Sequence, residues 1–166
     1  MKMNELKGLF IEDEMANVDI YTRLFALQGL TLECIDKLPE SVEDFYDIVL
    51  ERDVDFLIID YHLDKQVTYK GIDVLREIRK HDSTIYAVLL TNYQLEDFAD
   101  AFGDYDYELK KDSIVERVSD VSEKIKRACE LRRENTVFYE LNEQQKNEED
   151  TIQLLKEISA KLDEKG

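Results

Sequence analysis

The stretch Val54-Asp55-Phe56-Leu57-Ile58-Ile59-Asp60-Tyr61-His62 decides the fold. An apolar run, Phe56 to Ile59, ends in the carboxylate of Asp60. A short run rich in Ile and Leu reads as a strand buried on both faces, the kind found in parallel sheets. Asp60 then stands at the carboxyl end of that strand, where open α/β sheets bind their ligands. A lone Asp in such a place is most simply a turn residue. Residues at three other strand ends give this one a different meaning.

Working outward, Gly8 to Ile11 is a second short apolar run, followed at once by Glu12-Asp13-Glu14. Met15, Val18, Tyr21 (or Ile20), Leu24, Phe25 and Leu27 recur at helical spacing, and Gly29 fits a helix stop. Thr31 to Ile35 reads as the next strand. Leu38-Pro39 opens a helix with Val42, Phe45 and Ile48 or Val49 inward, Pro being tolerated in a first turn. After Val54 to Asp60 comes a polar loop, Tyr61 to Lys70, then a helix over Gly71 to His81 with Ile72, Leu75 and Ile78 inward. Thr84 to Leu90 is the fourth strand, ending at Thr91-Asn92. Leu95, Phe98, Ala99 and Phe102 mark a helix closed by Gly103. Tyr105 to Leu109 is the fifth strand, ending at Lys110-Lys111. Strands alternating with helices predict a doubly wound, five-stranded parallel α/β sheet with helices on both faces, and right-handed crossovers leave few topologies.

The remaining residues are helical in pattern. Ile114, Val118, Val121, Ile125, Ala128 and Leu131 recur every three or four residues; the stripe blurs through Asn142 to Asp150 and resumes at Ile152, Leu155 and Leu162. We expect an α/β domain over residues 1–128 and a helical extension over 129–166. Counted from Asp112-Ser113, a straight helix of about 50 residues spans roughly 75 Å at 1.5 Å per residue. It either pairs with another chain as a coiled coil or breaks near Asn142 to Asp150 and folds back as a hairpin. Dimerisation through the extension is the favoured expectation.

Composition narrows the partners. The 166 residues are 43% hydrophobic, enough for a packed core, and carry a net charge of −17. Residues 1–112 hold 26 Asp and Glu against 12 Lys and Arg, and the rest 13 against 10, so the acid concentrates in the α/β part. No basic patch suits nucleic acid or an anionic membrane, and no apolar run is long enough to span a bilayer. Met1 to Lys7 lacks the apolar segment of a signal peptide. Two distant cysteines, Cys34 and Cys129, make neither a disulfide framework nor a zinc site. A cytoplasmic protein is the expectation.

The strand ends carry the chemistry. Glu12 and Asp13, then Asp60, then Thr91, then Lys110 or Lys111 close the first, third, fourth and fifth strands, and a doubly wound sheet gathers those ends on one edge. Three carboxylates in one pocket cannot all stay ionised without a cation. A hard divalent ion such as Mg2+, which takes one or two carboxylates, waters and a phosphate, answers that need. A hydroxyl and an ammonium beside it suit a phosphoryl group, and a carboxylate is a known nucleophile for making an aspartyl-phosphate.

Phe-Ile-Glu12-Asp13-Glu14, Leu-Ile-Ile-Asp60, Leu-Leu-Thr91 and Tyr-Glu-Leu-Lys110-Lys111, in that order and spacing, resemble the signature of response-regulator receiver domains of two-component signalling, over roughly residues 5 to 128. The resemblance implies the flavodoxin-like strand order 2-1-3-4-5, the order that a member of this family exemplifies among doubly wound folds. It implies that Asp60 accepts a phosphoryl group from a sensor histidine kinase or phosphotransfer protein. Asp13 would bind Mg2+ directly, Glu12 directly or through water, and the main-chain carbonyl of His62 would be a third protein ligand. Thr91 would hydrogen-bond a phosphoryl oxygen and move towards it, the site lysine would pair with another oxygen, and Tyr107 resembles the aromatic residue that reorients with Thr91. The implied output is homodimerisation or partner binding, without DNA binding and without an enzymatic activity beyond the domain's own phosphate chemistry. The competing expectation is a receiver-like scaffold whose extension tethers a partner regardless of phosphate.

Four departures from the family pattern stand out. Neither lysine precedes Pro; counting from Gly103 and from Tyr107 favours Lys110, whereas an apolar residue two positions earlier, Leu109, favours Lys111. Asp64 stands where Pro is usual, and Lys65 to Lys70 look like an insertion beside the site. Asn92 follows Thr91 where a small residue is commoner. A phosphatase of the aspartate-nucleophile type would need a second Asp two residues after Asp60, and that residue is His62.

Overall fold

A computed structural model of the chain describes residues 5–63, 66–92 and 104–164. The strands are β1 (Leu6–Ile11), β2 (Leu30–Cys34), β3 (Phe56–Asp60), β4 (Tyr86–Thr91) and β5 (Tyr107–Lys110). The helices are α1 (Met15–Leu27), α2 (Phe45–Glu51), α3 (Gly71–His81) and α4 (Ile114–Glu164). All strand pairs are parallel, in the order β2-β1-β3-β4-β5. This is the doubly wound, flavodoxin-like sheet with a long C-terminal helix. The helix expected around Leu95 to Phe102 lies outside the described residues.

Each element follows from its side chains. Every residue of β3 is buried, as its central place in the sheet requires. One sheet face packs Leu9, Ile11, Leu57, Ile59 and Leu89 against Phe45 and Val49 of α2 and Ile72, Leu75 and Ile78 of α3. The other packs Phe10, Phe56, Ile58, Val88 and Leu109 against Tyr21 and Phe25 of α1 and Ile114, Val118, Val121 and Ile125 of α4. Alternation along each strand therefore feeds two separate apolar layers. Gly29 ends α1 with φ +82, a left-handed conformation that suits glycine.

Several boundaries moved from expectation, each for a local reason. α2 begins at Phe45, not at Leu38-Pro39: Ser41 accepts a hydrogen bond from the Glu43 N–H and starts a short 3-10 turn, Val42–Asp44. β4 begins at Tyr86, because Asp82 Oδ1 accepts from both the N–H and the hydroxyl of Thr84 and holds that residue in a turn. β5 starts at Tyr107 and hands over at Lys110 to a 3-10 turn, Lys111–Ser113. α4 is helical through residues 142–150, where the sequence allowed a break. Compact units run over Met1–Cys129 and Glu130–Gly166.

Gly71 couples α3 to the end of β3. Its N–H donates to the Tyr61 carbonyl at 2.9 Å, and a Cβ built on it would overlap the Asp60 carbonyl oxygen. Backbone cannot give way as a flexible side chain can. Gly71→Ala is therefore expected to destabilise the first unit by about 3 kcal/mol, read as a lower urea midpoint with an unchanged slope.

Candidate functional site

Among the described residues, the buried polar and charged side chains are Glu12, Asp13, Asp60, Thr91 and Ser122. All but Ser122 sit at the carboxyl edge of the sheet, where β1, β3 and β4 end. Burial of three carboxylates on one edge is costly unless something compensates, so the arrangement needs a chemical explanation.

Each side chain is placed by its own element. Glu12 Oε1 accepts the N–H groups of Asp13 at 3.0 Å and Glu14 at 3.1 Å, so the turn leaving β1 fixes its carboxylate. Asp60 Oδ1 accepts the N–H of His62 at 3.1 Å. The Tyr61 N–H donates to the Leu90 carbonyl at 2.9 Å, tying the residue after Asp60 to β4. The His62 ring packs edge-on against Tyr61. One carboxylate oxygen from each of Glu12, Asp13 and Asp60 lies within 4.8 Å of the others.

Lys111 closes the cluster. Its Nζ donates to Asp60 Oδ2 at 2.6 Å and lies 3.8 Å from Glu12 Oε2. The count that favours Lys110 is thus corrected. Side chains alternate along an extended chain, and Leu109, two residues before Lys111, is buried in the layer under α4. Lys110 pairs in register with Thr91 and makes no such contact. Burial works against the Lys111 charge, but its hydrogen bond to Asp60 and the charges of Asp60, Glu12 and Glu14 outweigh it and raise its pKa.

The acids respond to crowding. Burial first, then the neighbouring Asp60 carboxyl, pushes Glu12 up to about 8, against the lowering pull of Lys111. Glu12 Oε2 is buried and has no hydrogen-bond partner. An orphaned carboxylate oxygen, three converging oxygen donors and a raised acid are what a hard divalent cation would relieve, so the residues present fit Mg2+.

Two features were not legible in the chain. The hydroxyl of Thr91 donates to Glu108 Oε1 at 3.0 Å. With Lys111 at the site, the residue three before the lysine is Glu108 rather than Tyr107. Tyr107 packs in the opposite layer with the Lys124 ammonium 5.8 Å above its ring. The only signal for Glu108 in the sequence was a charge inside a strand. The second feature is the insertion. Gln66 Oε1 accepts the Leu38 N–H at 3.3 Å, its Nε2 reaches the Asp13 carbonyl at 3.5 Å, and the Tyr69 hydroxyl donates to the Pro39 carbonyl. Gln66 and Tyr69 thus tie to the main chain of Leu38, Pro39 and Asp13.

No protein-family model matches the sequence, and no curated protein matches it. Solved structures do. A response regulator receiver domain protein from Clostridium thermocellum is 23% identical, over 77% of this chain and 97% of that one, with a TM-score of 0.61. The fold is that of a response-regulator receiver domain. NtrX from Brucella abortus matches over 80% of this chain at 17% identity and TM-score 0.65, and the receiver-fold chain spans only 29% of its length. A structure of the histidine kinase ThkA in complex with the response regulator protein TrrA matches at 18% identity and TM-score 0.58, over 72% of this chain and 97% of the matched one. Among the described residues, no helix of this receiver fold is long and apolar enough to cross a membrane.

Proposed function

We propose that this chain is a phosphoacceptor module of two-component signalling. Asp60 takes a phosphoryl group from the phosphohistidine of a sensor histidine kinase or phosphotransfer protein. The observation that carries the reading is the 2.6 Å contact of Lys111 with Asp60 inside a buried three-carboxylate cluster. Asp13, Asp60, Glu12 (directly or through water) and the main-chain carbonyl of His62 would hold Mg2+. When bound, Mg2+ offsets the negative charge of the acids and of the incoming phosphoryl oxygens.

The protein's own groups do the rest. Asp60 Oδ1 is held by the His62 N–H, which orients the carboxylate for attack on phosphorus. As the phosphoryl bond forms, Lys111 exchanges its partner: the ammonium that pairs with Asp60 in the resting site turns to a phosphoryl oxygen. Thr91 supplies a hydroxyl donor to another. The resulting shift in a two-state equilibrium is the signal. Its output is homodimerisation or partner binding by a cytoplasmic protein. A net charge of −17 argues against nucleic acid as the target.

Exposed side chains in the second unit support self-association. Leu131 and Ile152 fall at one heptad position and Leu141 and Leu155 at the one three residues on, all largely exposed. The same stripe favours a second reading, a phosphate-independent tether. Intact mass and light scattering separate the two, with a small phosphodonor and Mg2+, on wild type and Asp60→Asn. The first reading predicts one phosphoryl group on wild type alone, with a matching change in assembly. An unchanged dimer on a protein that does take phosphate favours the tether. No phosphate on wild type, even from a phosphohistidine donor protein, sinks the first reading.

A further inference from the structure

We propose that Glu108 is a latch that holds the Thr91 hydroxyl in the resting state and sets how readily the site switches. The inference rests on the reading of Asp60 as phosphoacceptor and Thr91 as a phosphoryl donor group.

Thr91 is 1% exposed, so its hydroxyl has no recourse to water. A hydroxyl has one proton to donate, and Thr91 spends it on Glu108 Oε1 at 3.0 Å. The same proton cannot serve a phosphoryl oxygen. Both residues lie on the α2–α3 side of the sheet: Leu89, in register with Glu108, belongs to that layer, as does Ala87, on the same side of β4 as Thr91. Tyr105 packs against that layer, and burial first, then the neighbouring Glu108 charge, raises its pKa. A carboxylate acceptor makes the bond to Thr91 charge-assisted and roughly twice as strong as a neutral one. Leaving Glu108 therefore subtracts from the free energy that a phosphoryl group gains by recruiting Thr91. Glu108 never touches the reacting atoms; it is a positioning residue acting through Thr91.

The test titrates Mg2+–beryllofluoride, a phosphoryl mimic, by calorimetry into wild type, Glu108→Gln, Glu108→Asp and Thr91→Ala, and into each Glu108 variant combined with Thr91→Ala. Gln keeps the size and removes the charge; Asp keeps the charge and withdraws the oxygen. Each is expected to raise apparent affinity about fivefold more with Thr91 present than in the Thr91→Ala background. Equal gains in both backgrounds would mean that Glu108 acts only as a distant charge and would overturn the latch. So would no gain in either variant. Wild type failing to bind the mimic at all overturns the phosphoacceptor reading, and the latch with it.

Discussion

Lys111→Met lowers the rate of phosphoryl transfer to Asp60 by on the order of 100-fold, while Lys110→Met changes it by less than about twofold. The contrast follows from 2.6 Å against no contact. Lys111 is the cation that meets Asp60 and approaches Glu12, and it is placed to follow the charge onto the phosphoryl oxygens. Met preserves the apolar stem, which matters because most of this side chain is buried. Its loss also leaves Glu12 and Asp60 without their nearest positive charge, so Glu12 holds its proton to still higher pH. Phosphotransfer kinetics with a small phosphodonor read the difference. Equal losses from the two variants would contradict the assignment.

Glu12 should make the resting protein less stable as pH rises. Its pKa is about 8 in the folded site, against 4.5 for the ordinary group. Below pH 4.5 both states carry the proton. Between those two values the folded state keeps a proton that the unfolded state has released. Stability therefore falls with rising pH across that window and levels off above it. The loss is on the order of 4 kcal/mol, or roughly 10 °C in Tm for a chain of this size. Glu12→Gln, which has no proton to lose, removes this slope. Mg2+ needs the carboxylates ionised, so its stabilisation of wild type should grow with pH and be much reduced in Glu12→Gln. Thermal melts from pH 5 to 9, with EDTA or with Mg2+, provide the check. An identical slope in both proteins would exclude Glu12 as its source.

The layered sheet was readable because its signals are local. The apolar run at Phe56 to Ile59 and the carboxylates after β1 and β3 needed no tertiary knowledge. The site lysine was harder. Adjacent lysines differ only in which side of an extended chain they occupy, and Leu109 marked that side better than counting along the chain did. Glu108 gave no more signal than a charge inside a strand, because its contact with Thr91 depends on the parallel register of β5 with β4. The starts of α2 and β4 were set by Ser41 and Asp82, single turn-forming side chains that periodicity does not weigh. The strapping of Gln66 and Tyr69 onto Leu38 and Pro39 joins residues about 30 positions apart, and no pattern in either stretch announced it.

The measurement that bears most directly on the central claim is the location of the phosphoryl group. The protein is incubated with a small phosphodonor and Mg2+, reduced with borohydride, which converts an aspartyl-phosphate to homoserine, and mapped by peptide mass. Homoserine at position 60, absent without Mg2+ and absent from Asp60→Asn, is the predicted result. Phosphate mapped to any other residue, or none on wild type, would contradict it.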